Sequence, residues 1–174
     1  MSRGALLHVG CGTAAPPDWL SDYDETRLDI NAEARPDVVA SMLDMGDIGP
    51  FDVVFCEHAL EHVAPFEVPR ALSEFRRVLK PGGHAVVFVP DLEGVSPTNA
   101  VILQTPSGPV TGHDLFYGFG PALKDNPFMA HRCGFTRKVL GATLQGAGFA
   151  SVVTMRRGPD YFDLWALATV TQSS

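Results

Sequence analysis

The sequence predicts an α/β protein built on a doubly wound, mostly parallel sheet with helices on both faces. Several short apolar runs show no polar alternation and are bounded by turn residues, which is typical of strands covered on both faces. An amphipathic helix pattern lies between two of these runs, and this order implies a right-handed crossover between parallel strands. The chain has 174 residues, of which 45% are hydrophobic. This is enough for one core, so we expect one domain, residues 1–174.

The predicted strands of the N-terminal half follow the apolar runs in chain order. They are Ala5 to Val9, Thr26 to Asp29, Val38 to Ala40, Asp52 to Cys56 and Ala85 to Val89. The segment from Pro65 to Leu79 is predicted as the crossover helix, because apolar residues recur every three or four positions opposite charged ones. Lys80-Pro81-Gly82-Gly83 then ends this helix.

The C-terminal part is predicted to add one helix and an antiparallel strand pair. Thr136 can cap a helix that runs to Ala147 and stops at Gly148. Its predicted apolar side comprises Val139, Leu140, Thr143 and Leu144. The two strands are predicted at Ser151 to Met155 and Phe162 to Thr169, with the turn Gly158-Pro159-Asp160 between them.

Charge and cysteine content exclude several functional classes. Thirteen Lys and Arg against twenty Asp and Glu give a net charge of −7, which repels a phosphate backbone, so no nucleic acid partner is expected. The three cysteines are widely spaced without a C-x-x-C motif, which fits a reducing cytosol rather than a disulfide framework. The apolar run before Gly10 is too short for a signal peptide or a membrane span. We therefore expect a cytoplasmic protein without a membrane partner.

A strand that leads directly into a glycine turn is the first candidate binding feature. In Leu6-Leu7-His8-Val9-Gly10-Cys11-Gly12-Thr13, the turn lets backbone amides approach a ligand at the carboxyl edge of a sheet. Asp29 ends the second predicted strand, where a carboxylate can accept hydrogen bonds from both hydroxyls of a ribose. The alternatives are a tight turn without a ligand and an Asp that only caps a helix or turn.

The segment FCEHALEHVAPF, residues 55–66, raises the alternative of a metal site. His58-Ala59-Leu60-Glu61-His62 matches the H-x-x-E-H pattern of inverted zinc peptidases, in which two His hold zinc and Glu activates water. That pattern requires a long helix, yet a strand is predicted to end at Cys56 and Pro65 follows closely. We expect no metal, and a zinc hydrolase built on Glu57, His58, Glu61 and His62 stays as the weaker alternative.

Four segments in register resemble the class I S-adenosylmethionine-dependent methyltransferases, in particular small single-domain members of the type 11 kind. They are His8-Val9-Gly10-Cys11-Gly12, Leu28-Asp29-Ile30, Phe51 to Val63 with Leu60-Glu61-His62, and Val78-Leu79-Lys80-Pro81-Gly82-Gly83. The resemblance is close over residues 5–90 and looser over the helix and two strands of the C-terminal part. It implies a Rossmann-like, seven-stranded sheet with S-adenosylmethionine across its carboxyl edge.

The resemblance also implies a cofactor-binding role for each matching residue. His8 and the turn Gly10-Cys11-Gly12 would lie near the methionine part, Asp29 would hold the ribose, and Ile30 would pack on the adenine. Ser41 and Met42 would face the adenine edge. Glu57 and His58 would close over the cofactor after the fourth strand.

The sequence departs from the family pattern at three positions and in one connection. His8 stands where an acid is usual, Ala14 where a third glycine is usual, and Ser41 where an Asp often meets the adenine amine. The segment Ala14 to Leu20 leaves room for only a turn or two of the usual first helix. These departures keep a non-catalytic, cofactor-binding member of the fold as an alternative.

Residues 91–135 lack clear periodicity, and a stretch of that length within one domain is usually functional, so we interpret them as the variable substrate side. Their candidate acceptor-binding residues are His113, Asp114, Tyr117, His131 and Arg132. His113 is the first candidate for a general base, because a neighbouring carboxylate raises the basicity of imidazole. His58 is the second candidate.

The implied reaction moves a methyl group from a sulfonium to an O, N or C nucleophile. No Asn/Asp-Pro-Pro-Tyr motif follows the fourth predicted strand, which argues against a planar base amine as the acceptor. We expect a small-molecule or sugar/glycan-type acceptor. Little chain is left for a lid, so a homodimer whose second subunit completes the pocket is a further expectation.

Overall fold

The computed structural model describes residues 3–158 and 161–172, and a seven-stranded sheet lies at its centre. The strands are β1 (Gly4–Val9), β2 (Tyr23–Asp29), β3 (Val38–Val39), β4 (Phe51–Glu57), β5 (Leu79–Pro90), β6 (Val101–Thr105), β7 (Gly108–Thr111), β8 (Ser151–Arg156) and β9 (Asp163–Thr169). The helices are α1 (Val68–Arg77), α2 (Gly112–Tyr117), α3 (Gly120–Asp125) and α4 (Arg137–Gly146). Within the described residues, no helix is long and apolar enough to cross a membrane.

The strand order of the main sheet is β3-β2-β1-β4-β5-β9-β8. The first five of these strands pair in parallel, and β9 is antiparallel to both β5 and β8. The predicted fold class, a mostly parallel, seven-stranded Rossmann-like sheet, is therefore confirmed. The order reverses between β1 and β4, and ligands of open α/β sheets bind at the carboxyl ends of the strands that flank such a point.

The larger hydrophobic core lies between the sheet and two helices. From α1, Leu72 and Phe75 are fully buried, and from α4, Leu140 and Leu144 are fully buried in the same cluster. The apolar spacing of α1 therefore places its buried stripe on the sheet, as the sequence predicts. In α4 the prediction is partly wrong, because Val139 is exposed. Thr136 does cap α4, since its hydroxyl accepts a hydrogen bond from the Val139 amide.

The opposite face of the sheet differs from the expectation of helices on both faces. Its apolar residues, among them Leu6, Val53, Phe55 and Val86, pack with Leu20. Within the described residues, this cluster contains no α-helical residue, because β1 and β2 are joined only by the single helical turn Asp18–Leu20. The short connection predicted after Ala14 is the physical reason.

Residues 91–135 contain more regular structure than their sequence suggests. The strands β6 and β7 form an antiparallel hairpin, and the short helices α2 and α3 follow it. The sequence predicts none of these elements, because six-residue helices and a strand that contains Pro109 show no usable period. In the predicted turn between β8 and β9, Pro159 and Asp160 lie outside the described residues.

Candidate functional site

The glycine turn after β1 is shaped by two backbone requirements. The amide of Gly10 donates to the Leu28 carbonyl of β2 at 2.8 Å, and its φ of +66° is a value that L side chains rarely adopt. A Cβ at this position would also collide with the side chain of Ala59. Gly12 has φ +47°, and a Cβ there would meet no atom within 4 Å. The turn therefore keeps an open space beside Gly12.

Asp29 holds this turn from the end of β2. One carboxylate oxygen accepts a hydrogen bond from the Gly12 amide at 2.8 Å, and the other accepts one from the Asn31 amide at 2.8 Å. The residue is 9% exposed and lines the adjacent pocket. Because an ionised carboxylate has about four acceptor positions, each oxygen can accept one further hydrogen bond.

A pocket of about 530 Å³ opens at the carboxyl ends of β1 and β2. This volume lies within the usual range of small-molecule sites, about 300–1,000 Å³. Six of the residues predicted to contact the cofactor line it: Gly10, Gly12, Asp29, Ile30, Ser41 and Met42. These six residues, which come from separate segments of the sequence, therefore meet at one pocket.

Four predicted cofactor residues do not line this pocket: His8, Cys11, Glu57 and His58. His8 is buried, and its Nδ1 lies 2.8 Å from Glu25 Oε1. Cys11 is also buried, and burial raises the pKa of its thiol although Arg27 acts in the opposite direction. Glu57 ends β4 and pairs with Phe88 of β5. The alternation of a strand explains His8, because Val9 and His8 face opposite sides of the sheet.

The H-x-x-E-H segment does not form the helix that an inverted zinc peptidase requires. His58 has φ +49°, and Leu60–His62 is a single helical turn of the 3-10 type. The two histidines are thus not one α-helical turn apart, which corrects the zinc hydrolase alternative. Glu61, the expected water-activating residue, is buried with its side chain 1% exposed.

His58 lies at the exit of β4 between two carboxylates. Its Nδ1 is 3.4 Å from Glu61 Oε1, and its Nε2 is 3.5 Å from Asp163 Oδ1. Partial burial acts to lower the pKa of the His58 imidazole, but the nearby carboxylate of Glu61, together with those of Asp163 and Glu57, outweighs it and raises this pKa. His58 does not line the pocket described above.

The predicted acceptor residues are separated by the structure. Asp114 caps α2: its carboxylate accepts hydrogen bonds from the Thr111 amide at 2.8 Å and from the Gly120 amide at 3.0 Å. The exposed ring of His113 packs on Tyr117, with 4.5 Å between ring centroids. None of these three predicted residues lines the pocket, so the structure does not bring the first candidate base to it.

The other two predicted acceptor residues, His131 and Arg132, lie closer to the pocket. Arg132 lines the pocket, and His131 lies behind it, beside Glu61. Burial lowers the pKa of the His131 imidazole, against the effect of its contact with the Leu115 carbonyl. The pocket-lining residues that the sequence analysis missed include Glu67, Asn126 and Phe128. The dipeptide Asn126-Pro127 is a turn signal that could have indicated the segment.

Comparison with known proteins matches part of the chain to a methyltransferase family model. Residues 7–87 match the model of the type 11 methyltransferase family, described as a methyltransferase domain. The probable methyltransferase ltbC of Aspergillus luteorubrus is 59% identical over an alignment of 105 residues, which covers 45% of this chain and 37% of that protein. The chain thus spans well under half the length of this curated relative.

Solved structures show the same fold. A S-adenosylmethionine-dependent methyltransferase of Methanosarcina mazei has a TM-score of 0.65 at 19% identity, covering 99% of this chain and 95% of that one. The 1,6-didemethyltoxoflavin-N1-methyltransferase of Burkholderia thailandensis, with S-adenosylhomocysteine bound, has a TM-score of 0.61 at 14% identity, covering 98% and 72%. Residues 7–87 therefore resemble a methyltransferase domain, and the chain has the fold of the solved S-adenosylmethionine-dependent methyltransferases.

Proposed function

We propose that the chain transfers a methyl group from S-adenosylmethionine to a small-molecule or sugar/glycan-type acceptor. The observation that carries this proposal is that the glycine turn and Asp29 line one pocket of about 530 Å³ at the switch point of the sheet. A relative that acts on a small molecule supports the acceptor class, since 1,6-didemethyltoxoflavin is bound in its structure. The net charge of −7 is consistent with an acceptor other than nucleic acid.

The residues around the pocket fit the parts of this cofactor. Asp29 has acceptor capacity left for the two ribose hydroxyls, and the open space at Gly12 suits the methionine part. Ile30 is 62% exposed beside the pocket and can pack on the adenine. Ser41 and Met42 complete the adenine side. His8, Cys11 and Glu57 support this surface from behind.

The proposed methyl transfer requires mainly that the cofactor and the acceptor are aligned. The cofactor supplies an activated methyl group on a sulfonium. During transfer the S–CH₃ bond breaks while a bond from carbon to the acceptor atom forms, the thioether leaves, and the acceptor gives up a proton. In this proposal, Arg132 orients the acceptor at the pocket and the main task of the protein is to align the reactants and exclude water.

His58 is the proposed base for that proton. It follows β4 directly, and its imidazole is held between Glu61 and Asp163. These carboxylates favour the protonated imidazole and so increase its ability to accept a proton. Neither His58 nor His113 lines the pocket, but His58 directly precedes the lining residue Ala59. His113 is exposed on α2 and packs on Tyr117, so it is not part of the proposed reaction.

A label-transfer experiment tests the proposed function. The untagged protein is incubated with S-adenosylmethionine carrying a labelled methyl group and with fractionated small-molecule extracts. We expect label in a low-mass product together with an equal amount of S-adenosylhomocysteine, and neither with Asp29→Ala. Binding of S-adenosylmethionine without transfer in any fraction would instead indicate the non-catalytic alternative.

A further inference from the structure

Three potential metal ligands meet beside the cofactor pocket. Glu61, His62 and His131 each offer one ligand atom, and these atoms lie within 4.8 Å of one another. We propose that they form a binding site for a divalent transition-metal ion of the zinc class. The ion would lie where the turn after β4 meets the loop that carries Arg132, whose amide donates to the Glu61 carbonyl at 2.8 Å.

The carboxylate of Glu61 is the first argument for a cation. Its side chain is 1% exposed, and within the described residues neither oxygen accepts a hydrogen bond. The nearest imidazole nitrogens belong to His58 at 3.4 Å and His131 at 4.0 Å. A buried carboxylate without a partner is unfavourable by several kcal/mol. A bound cation removes that cost.

His131 is already oriented as a ligand. Its Nδ1 lies 2.9 Å from the Leu115 carbonyl oxygen, which can only accept, so Nδ1 carries the proton in this contact. Nε2 then has a free electron pair on the side of Glu61 when the ring is neutral. A metal-binding His commonly donates its other ring N–H to a carbonyl in this way, and that contact fixes the tautomer.

Both ring nitrogens of His62 lie near carbonyl oxygens, and a neutral imidazole cannot donate to both. Its Nδ1 lies 3.1 Å from the Ala130 carbonyl oxygen, and its Nε2 lies 3.1 Å from the His58 carbonyl oxygen. A neutral imidazole has one N–H, so one of these two nitrogens points an electron pair at an oxygen. A small ring movement would let that nitrogen bind the ion while the other nitrogen keeps its hydrogen bond.

Two imidazoles and one carboxylate form a donor set that zinc prefers, and such three-ligand sites keep a fourth position open. His58, whose side chain is 42% exposed, lies next to this cluster, with its Nδ1 3.4 Å from Glu61 Oε1. The site differs from the H-x-x-E-H alternative, because Glu61 is a ligand here and His131 comes from a distant loop. It does not rest on the proposed methyl transfer.

The test uses metal-free, untagged protein without S-adenosylmethionine. Calorimetric titration with Zn²⁺ should show a single ion per chain, and Co²⁺ should give visible absorption bands of a protein-bound, tetrahedral or five-coordinate ion. Loss of a partner that only orients a ligand typically weakens metal binding about 10–100-fold, so loss of a ligand in Glu61→Gln or His131→Ala should weaken Zn²⁺ binding at least that much. His113→Ala, an exposed histidine outside the cluster, is the matched control and should bind as the wild type does.

Circular dichroism shows whether each variant is folded. If a variant is not, the Co²⁺ absorption spectrum of the wild type still tests the proposal. Zn²⁺ should also raise the Tm of the wild type but not that of Glu61→Gln. The absence of Co²⁺ bands and of stoichiometric Zn²⁺ binding in the wild type would overturn the proposal. Equal Zn²⁺ affinity in wild type, Glu61→Gln and His131→Ala would overturn it as well.

Discussion

The carboxylate of Asp29 accepts a hydrogen bond from the amide of Gly12 at 2.8 Å. This contact joins the end of β2 to the glycine turn after β1, so the two features that the sequence singled out form one surface. Asp29 has acceptor capacity left toward the pocket. The residue therefore fixes the turn, and its proposed second role is to bind the ribose.

Replacing Gly10 by Ala should destabilise the protein by about 1–3 kcal/mol, because φ is positive and the added Cβ would collide with Ala59. Urea unfolding measures this free energy. Gly146→Ala is the matched control, since its Cβ would meet no atom within 4 Å at the end of α4. That variant should be unchanged or up to about 1 kcal/mol more stable. Equal free energies of unfolding for both variants would contradict the role of the turn.

Truncation of Phe75 tests the core between α1 and the sheet. The side chain is fully buried, so Phe75→Ala should lower the free energy of unfolding by about 3–5 kcal/mol. Phe66 is 82% exposed, and Phe66→Ala should change stability by less than about 0.5 kcal/mol. Denaturant unfolding measures the free energy of unfolding of both variants. A large decrease for Phe66→Ala without one for Phe75→Ala would contradict the packing of α1 on the sheet described above.

Glu74 should contribute to the loss of stability in acid. The hydrogen bond from Arg77 is the main cause that lowers the pKa of this carboxyl, with a smaller contribution from the Met45 amide. Because the folded-state pKa is depressed, this stabilisation is present above the unfolded pKa of about 4.3 and is lost as pH falls through the folded value. When the free energy of unfolding is measured between neutral and acid pH, it should fall less steeply in acid for Glu74→Gln than for the wild type. Asp125 is exposed, and the control variant Asp125→Asn should show the same pH dependence of the free energy of unfolding as the wild type.

Ile30 provides a binding test that leaves the fold intact. It is 62% exposed and lines the pocket, so Ile30→Ser should weaken S-adenosylmethionine binding by about tenfold, equivalent to about 1.4 kcal/mol of lost packing. Val39 is equally exposed at 59% but lies outside the lining, and Val39→Ser should bind normally. Calorimetry on both variants distinguishes the outcomes, and an unchanged affinity for Ile30→Ser would remove it from the adenine site.

Local patterns in the sequence were sufficient to predict the sheet and about half of the residues of the candidate site. Unbroken apolar runs identified β1, β4 and β5, and the glycine turn with Asp29 identified the pocket. The strand alternation that turns His8 toward Glu25 was also visible, but the family resemblance placed His8 with the cofactor residues. The pairing of Glu61 with His131 could not be predicted, because it depends on how a loop distant in sequence folds back. The neighbour Asp114 suggested His113 as a base, yet the same carboxylate is used to cap α2.

The first measurement is calorimetric titration of S-adenosylmethionine and S-adenosylhomocysteine into the wild type, Asp29→Ala and Asp24→Ala. Asp24 lies on the same strand but pairs with Arg3 at the surface, which makes it a matched control. We expect micromolar binding, on the order of −8 kcal/mol, that weakens at least about tenfold in Asp29→Ala and is unchanged in Asp24→Ala. Failure of the wild type to bind either compound, or binding that is indifferent to Asp29, would contradict the assignment of this pocket to the cofactor.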